Sequence, residues 1–246
     1  MKNGNETVRI GLYAPFIFWF MVVGILLSVG IRNSIRPTTN TETATESVIS
    51  EEQALEIFNE TKELLRTTLS QYQSLYWTRF DETTLCFEHK SGKHENGSKS
   101  LGHYVVDENA VKLYNEALIV STKELRSILA HELGHALTVG RGEILLYEGV
   151  AELIAFKATG STEGDSYVLP YRLIIMFETR YGLEETLFYI REGFIGALFD
   201  NDIEPGAYKR LESAAEKFIN NECSDQEFAE AEELLEKYAA VLEKTE

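Results

Sequence analysis

The residues best suited to chemistry lie in one short segment, His131-Glu132-Leu133-Gly134-His135. Residues four apart on an α-helix share one face, so His131 and His135 can present two imidazole nitrogens to one metal ion. Glu132 lies roughly 100° around the helix, where its carboxylate can reach a water molecule on the metal without being a ligand. Two histidines, a third ligand and a glutamate that accepts a proton are the groups that a zinc peptidase requires.

A third ligand can come from the apolar segment that follows, residues 143–156. Glu148 follows His135 by thirteen residues, and Glu152 lies four positions further on the same face of the helix that this segment predicts. Carboxylates on a strongly apolar helix are costly to bury unless they are paired or bind a metal. Glu148 and Glu152 are therefore the candidates, whereas Glu143 lies close to the preceding turn and is less suitable.

The sequence also predicts the helix that positions the two histidines. Ser121 and Glu124 have the form of a capping box at its start, and Gly140 suits its end. Gly134 leaves room for close packing against a neighbouring element. Apolar side chains recur at helical spacing and form a core face beside the histidine face: Leu125, Ile128, Leu129, Leu133 and Leu137.

This pattern resembles the gluzincin metallopeptidases, which include thermolysin, the zinc aminopeptidases and the small single-domain minigluzincins. The resemblance rests on the segment from His131 to His135 and on Glu148-Gly149-Val150-Ala151-Glu152 downstream. It implies that Glu148 is the third zinc ligand and that Glu152 orients a metal-bound histidine. A carboxylate beside the second imidazole nitrogen is also what fixes the tautomer of a histidine ligand.

The resemblance extends over roughly residues 82–195 and implies further roles. Leu101–Val106 and Ala110–Tyr114 resemble the two strands before the metal helix in these enzymes. In the small gluzincins a tyrosine lies over the metal, and Tyr167 resembles it, with Tyr171 one turn away as the alternative. The first of the two strands resembles the edge strand that pairs with an extended substrate, and on that analogy His103 or Tyr104 would face the substrate. The favoured interpretation of His103 is an ordinary strand histidine.

The pattern outside the site predicts an α+β domain over residues 50–246, with a small mixed sheet and a mostly helical remainder, as in the zincin-like metallopeptidases. Ser50 caps a long helix that extends to about Trp77. Thr83–His89 forms a further strand, and Leu118–Ser121 can extend the sheet from three strands to four. After Phe156 the chain is almost wholly helical, with segments at about 166–180, 183–199, 204–219 and from 224 onwards.

The N-terminal segment predicts a membrane anchor that precedes the domain. Residues 1–9 form a short polar head, residues 10–31 contain no charged side chain, and residues 32–49 are a Thr-rich linker. A helix over residues 10–31 spans about 33 Å, enough for the hydrocarbon core of a bilayer. The apolar run is long for a cleaved signal peptide, and no small-x-small cleavage site follows it. We therefore predict a single-pass membrane protein.

The predicted orientation places the catalytic domain outside the cytoplasm. The positive charges on the two sides of the span are nearly balanced, so they do not determine the orientation of the protein in the membrane. Asn59 and Asn96 begin sequons, which favour an extracytoplasmic domain. Cys86 and Cys223 can then form a disulfide, although two buried thiols fit the sequence equally well.

Charge and composition exclude some partners. The net charge of −17 speaks against binding to nucleic acid or to an anionic membrane surface. The hydrophobic fraction of 44% is enough for a substantial core.

Together these features predict a membrane-anchored, zinc-dependent peptidase that acts on a peptide or protein substrate. Zinc lowers the pKa of its water towards about 7, and Glu132 accepts the proton and later donates one to the leaving amine. Tyr167 would stabilise the developing charge on the carbonyl oxygen. The alternative is a membrane-anchored peptide-binding or sensory domain, catalytically silent or latent, that retains the zinc site. The intact Glu132 favours the peptidase, because a structural zinc site has no use for that residue.

Overall fold

The computed structural model describes residues 48–92, 100–138, 143–161 and 167–244. The predicted polar head (1–9), the predicted membrane span (10–31) and nearly all of the linker (32–49) lie outside these residues, as do Asn96 and Gly140. Within the described ranges, no helix combines the length and the apolar character needed to cross a bilayer.

The described chain is mostly helical and contains one small mixed sheet, as the α+β prediction expects. It begins with α1 (Glu51–Leu69) and α2 (Trp77–Glu82), then β1 (Thr84–Glu88), β2 (Gly102–Val105), β3 (Ala110–Tyr114) and a 3₁₀ turn (Asn115–Leu118). The helices that follow are α3 (Thr122–Thr138), α4 (Ile144–Thr159), α5 (Val168–Tyr181), α6 (Leu183–Arg191), α7 (Ile195–Asp202), α8 (Ala207–Ile219) and α9 (Asp225–Leu242).

The sheet has the order β1-β3-β2, so β2 is an edge strand. β1 runs parallel to β3, and β2 runs antiparallel to it. Successive side chains of a strand point to opposite faces. Gly102 and Tyr104 are accordingly buried, and Gly102 lies against Ile128 of α3. His103 lies on the other face, where its ring stacks on that of Tyr114 at a centroid distance of 5.4 Å.

The predicted fourth strand at Leu118–Ser121 is wrong. A 3₁₀ turn over Asn115–Leu118 directly follows β3 and takes the chain out of the sheet. The carbonyl oxygen of Leu118 accepts a hydrogen bond from the backbone N–H of Ile49, at 2.8 Å, and so pairs with the start of the domain instead. The described part of the sheet therefore has three strands.

Two predicted helices are shorter than their apolar patterns indicate. The first helix ends at Leu69 and not near Trp77, because the chain then turns and the N–H of Tyr76 bonds to the carbonyl oxygen of Leu137 at 2.8 Å. The helix predicted over residues 183–199 is divided between α6 and α7. Gly193, with a φ of 73°, makes this break in the left-handed region that glycine favours.

Helix α3 is deeply buried and positions the site. Every residue from Ser127 to Leu137 is buried, and the helix packs chiefly against α4 and also against α1 and β2. At its start, the hydroxyl of Ser121 accepts a hydrogen bond from the N–H of Glu124 at 3.2 Å, which is half of the predicted capping box. A Cβ on Gly134 would lie 3.0 Å from the Cα of Ala151, so the missing side chain lets α3 and α4 approach closely.

Candidate metal centre

Helices α3 and α4 bring together three side chains that can hold a metal ion. His131 and His135 project from α3, and Glu148 projects from the first half of α4. The two Nε2 atoms lie 3.1 Å apart, and Oε2 of Glu148 lies 3.1 Å from Nε2 of His131 and 3.5 Å from Nε2 of His135. Ligands at zinc distances around a tetrahedral ion are about 3.3 Å from one another. The three atoms therefore fit three corners of such a site.

Glu132 lies beside this triad. Glu132 is only 4% exposed, and its carboxylate accepts a hydrogen bond from the backbone N–H of Tyr104 on β2. Burial raises the pKa of Glu132 to about 7; His131 opposes this rise and Glu148 adds to it. A carboxyl group with a pKa near neutrality can both accept and donate a proton, which suits general acid–base chemistry.

Glu148 and His135 also have the protonation states that metal binding requires. Burial opposes the ionisation of Glu148, but hydrogen bonds from His131 and His135 outweigh it and hold the pKa of Glu148 at about 2. Burial lowers the pKa of His135. At neutral pH Glu148 is therefore an anion and His135 is a neutral imidazole, and both can donate an electron pair to a metal ion.

Glu152 approaches the opposite side of the His131 ring. Its Oε2 lies 3.6 Å from Nδ1 of His131, and the residue is fully buried. A carboxylate near Nδ1 favours the tautomer that leaves Nε2 available to a metal. The two glutamates are thus separated by geometry: Glu148 faces the nitrogens of the triad, and Glu152 faces the rear of one imidazole.

A tyrosine ring lies against each imidazole of the triad. Tyr167 stacks on His131 with centroids 5.0 Å apart, and Tyr147 stacks on His135 with centroids 3.9 Å apart. The alternative candidate, Tyr171, lies against Phe156 at 5.8 Å, and burial raises the pKa of its hydroxyl to about 12. Of the two tyrosines that the sequence singles out, Tyr167 is the one placed beside the triad.

Two residues near the site, Tyr147 and Arg79, are absent from the sequence prediction. Tyr147 directly precedes Glu148, and this position next to a ligand was the available signal for it. Tyr104 meets the site through its backbone N–H and not through its side chain, while the side chain of His103 lies on the other face of the sheet. Arg79, which bonds to the Tyr104 hydroxyl, has no motif around it.

The two cysteines lie apart from this site. Cys86 is exposed and Cys223 is half-buried, and both are free thiols. The sequence left open a disulfide or two buried thiols. The disulfide is not formed, and the two thiols are less buried than the second prediction expects.

No protein-family model, no curated protein and no solved structure matches this chain. Function is therefore inferred from the site itself. It contains a group of His131, His135 and Glu148 that can hold a metal ion, with the carboxylate of Glu132 next to it.

Proposed function

We propose that this protein is a zinc-dependent peptidase of the gluzincin type. The observation that carries the proposal is the triangle formed by the ligand atoms of His131, His135 and Glu148, with the buried carboxylate of Glu132 at its side. Two imidazoles and one carboxylate suit zinc and leave one position open. When bound, the metal ion would polarise a water molecule and the carbonyl group of the scissile peptide bond.

Glu132 is the general base of the proposed reaction. It accepts a proton from the attacking water and later donates a proton to the nitrogen of the leaving amine. The backbone N–H of Tyr104 bonds to its carboxylate, and burial raises the pKa of Glu132. Groups in this role contribute roughly 10²–10⁴-fold to the rate.

The edge of β2 that no described strand covers is the proposed binding surface for the peptide. Tyr104 pairs with Val111 in the antiparallel ladder, yet its N–H bonds to Glu132, so this edge of the strand faces the site. A peptide that adds a strand to this edge would be held extended over the triad by main-chain hydrogen bonds. Tyr167 stacks on His131, and its hydroxyl would donate a hydrogen bond to the carbonyl oxygen of the scissile bond as negative charge develops there.

We also propose that the peptidase is anchored to a membrane through residues 10–31 and lies outside the cytoplasm. The uncharged run of this segment and the Thr-rich linker after it support the proposal. The net charge of −17 supports a peptide or protein substrate and not a nucleic acid.

The proposal is tested with the full chain in a mild detergent, loaded with zinc and incubated with a mixed peptide library. New termini are read by mass spectrometry for the wild-type protein, for Glu132→Gln and for Glu124→Gln. Glu124 is an exposed glutamate on the same helix, so its substitution is a matched control. We expect cleavage by the wild-type and control proteins and a loss of roughly 10²-fold or more in Glu132→Gln.

Zinc content is measured on the same three proteins. Glu132→Gln should bind one zinc ion as the wild-type protein does, since Glu132 is not a ligand; loss of zinc would contradict its proposed role. If the zinc-loaded wild-type protein cleaves no peptide, the peptidase proposal fails, and the peptide-binding or sensory domain with a retained zinc site takes its place.

A further inference from the structure

Arg79 differs from the other arginines that the structure describes. Six of these place a guanidinium nitrogen within 4.0 Å of a carboxylate: Arg66, Arg126, Arg172, Arg180, Arg191 and Arg210. Arg79 instead bonds to two neutral oxygens in the described part of the chain. Its Nε donates to the hydroxyl of Tyr104 at 2.6 Å, and its Nη2 donates to the carbonyl oxygen of Val106.

A closed set of hydrogen bonds holds Arg79 in position. The hydroxyl of Tyr104 donates to Oδ1 of Asn109 at 2.8 Å, and Nδ2 of Asn109 donates back to the carbonyl oxygen of Arg79 at 2.9 Å. These neutral partners fix the side chain, and no carboxylate of the described residues lies within 4.0 Å of its guanidinium nitrogens. A guanidinium group has five N–H donors in a planar fork that matches a carboxylate. The bonds within the described chain use Nε and Nη2, so Nη1 and the second hydrogen of Nη2 remain available to a ligand.

Arg79 is also reachable from solvent. It lines an open surface cleft of about 600 Å³ together with Tyr76, Trp77, Asn109 and Glu82, whose carboxylate forms no ion pair with the guanidinium. Tyr76 is 44% exposed, so an aromatic face is available beside the guanidinium. The cleft can therefore admit a side chain or a chain terminus of a peptide.

Tyr104 links this cleft to the metal centre. Its N–H bonds to the carboxylate of Glu132, while its hydroxyl bonds to Arg79. Tyr147, which stacks on His135, lies close enough to Glu132 and to Arg79 to interact electrostatically with both. Val106 is two residues along the chain from Tyr104, a distance of about 7 Å in a strand. A peptide on the edge of β2 would therefore reach Arg79 within a few residues of the scissile bond.

We propose that Arg79 is an anchor for a substrate carboxylate and makes the enzyme prefer peptides with a negative charge near the cleaved bond. The carboxylate is either an acidic side chain or a free C-terminus. The net charge of −17 repels negatively charged peptides at long range. A preference for such peptides therefore requires a local positive charge at the binding site, and Arg79 supplies one. A fork-shaped pair between arginine and carboxylate is among the strongest hydrogen-bonded contacts in proteins. This proposal rests on the proposed peptidase function.

The test compares Arg79→Gln with Arg126→Gln in the zinc-loaded full chain. Arg126 pairs with Glu60 at the surface, so its substitution removes the same charge elsewhere. Two series of peptide pairs are compared. In the first series, Glu replaces Gln at each position around the cleaved bond. In the second series, a free C-terminal carboxylate replaces a C-terminal amide. The readout is the ratio of kcat/KM between the charged and the neutral peptide of each pair.

We expect wild type and Arg126→Gln to prefer the charged peptide by about tenfold or more in one series, which identifies the source of the carboxylate. In Arg79→Gln the ratio should fall to about one, and Arg79→Lys, which keeps the charge without the fork, should give an intermediate value. If Arg79 only joins α2 to β2, its loss will slow both peptides of a pair equally. No preference in wild type, or an undiminished ratio in Arg79→Gln, would overturn the proposal.

Binding measurements separate this proposal from the peptidase proposal. The same peptide pairs, labelled with a fluorophore, are titrated into zinc-loaded Glu132→Gln with and without Arg79→Gln, and anisotropy is followed. A charge preference in affinity that depends on Arg79 supports the anchor even if wild type cleaves nothing, in which case the peptidase proposal alone fails. Cleavage and binding that both ignore charge overturn the anchor and leave the peptidase proposal standing.

Discussion

At the scale of single residues, His131 is held on three sides. Glu148 approaches its Nε2, Glu152 approaches its Nδ1, and Tyr167 lies against its ring face. A ring restrained in this way loses little conformational freedom when a metal ion binds. The site is thus pre-organised by side chains from both α3 and α4 and from the residue that precedes α5.

The two glutamates of α4 should differ in their effect on zinc affinity. We expect Glu148→Ala to weaken zinc binding far more than Glu152→Ala, because Glu148 faces the nitrogens of the triad and Glu152 faces the rear of His131. Loss of a carboxylate behind a histidine ligand typically lowers metal affinity by about 10–100-fold. Dissociation constants are measured by competition with a chelator, with Glu124→Ala as the exposed control. The opposite order would make Glu152 the ligand.

At the scale of elements, glycines on α3 and α4 allow the helices that carry the site to pack closely. Gly149 directly follows Glu148, the proposed third ligand, and lies against α5. A Cβ there would lie 2.5 Å from the carbonyl oxygen of Pro170 and 2.7 Å from Cγ1 of Ile174. The approach of α5 to α4 therefore depends on the missing side chain, and it places Tyr167, at the start of α5, near the triad.

Gly149→Ala should destabilise the protein. Overpacking of a core typically costs about 1–3 kcal/mol, and the backbone of Pro170 cannot move aside as a flexible side chain would. The gain of roughly 1 kcal/mol from replacing glycine by alanine in a helix is smaller. Gly134→Ala, whose nearest contact would be 3.0 Å, should lose less stability. Urea unfolding of the two variants is the measurement, and a Gly149→Ala protein as stable as wild type would contradict this account.

The capping box of α9 should make stability depend on pH. Hydrogen bonds from Lys217 and from Ser224 hold the pKa of Glu227 at about 2, below its usual value of 4.5. A group with a lowered pKa in the folded state stabilises the fold above the unfolded value and loses this effect as the pH falls through the folded value. The contribution of Glu227 should therefore be complete above pH 4.5 and decline between pH 4.5 and about 2.

Glu227→Gln should consequently be less stable than wild type at pH 7, and the difference should shrink as the pH is lowered. The measurement is the free energy of unfolding in urea at a series of pH values from 7 to about 3. Glu230→Gln changes an exposed glutamate of the same helix outside the cap and is the control. A difference between Glu227→Gln and wild type that does not change with pH would show that the charge of Glu227 does not stabilise the cap.

At the scale of the whole molecule, a bound metal ion would join α3 to α4 through ligands from both helices. Any ligand that binds only the folded state stabilises it, by about 2.7 kcal/mol at a hundredfold excess over its dissociation constant. For a domain of about 200 residues each kcal/mol raises Tm by about 2–4 °C. We expect zinc to raise Tm accordingly, a chelator to reverse the shift, and His131→Ala to abolish it. Zinc that binds without changing Tm would contradict a site built from the folded pair of helices.

Local structure was largely predictable because its causes lie within a few residues. Ser50 and Ser224 each form the expected capping box, since both partners of each bond lie within one helical turn. The predictions fail where a distant contact decides. The first helix ends early where Tyr76 bonds to Leu137, and the chain after β3 turns away from the sheet where Leu118 bonds to Ile49.

By itself the sequence determined which side chains are available for chemistry. These are two histidines one helical turn apart, a glutamate beside them, and two further carboxylates one turn apart on the next helix. These spacings follow from helix geometry and need no tertiary contact. Only the tertiary structure decided that Glu148 meets the nitrogens of the triad while Glu152 lies behind His131. It alone brought Tyr147, the N–H of Tyr104 and Arg79 to the same region, because the positions of side chains from separate elements depend on how α2, β2, α3 and α4 pack together.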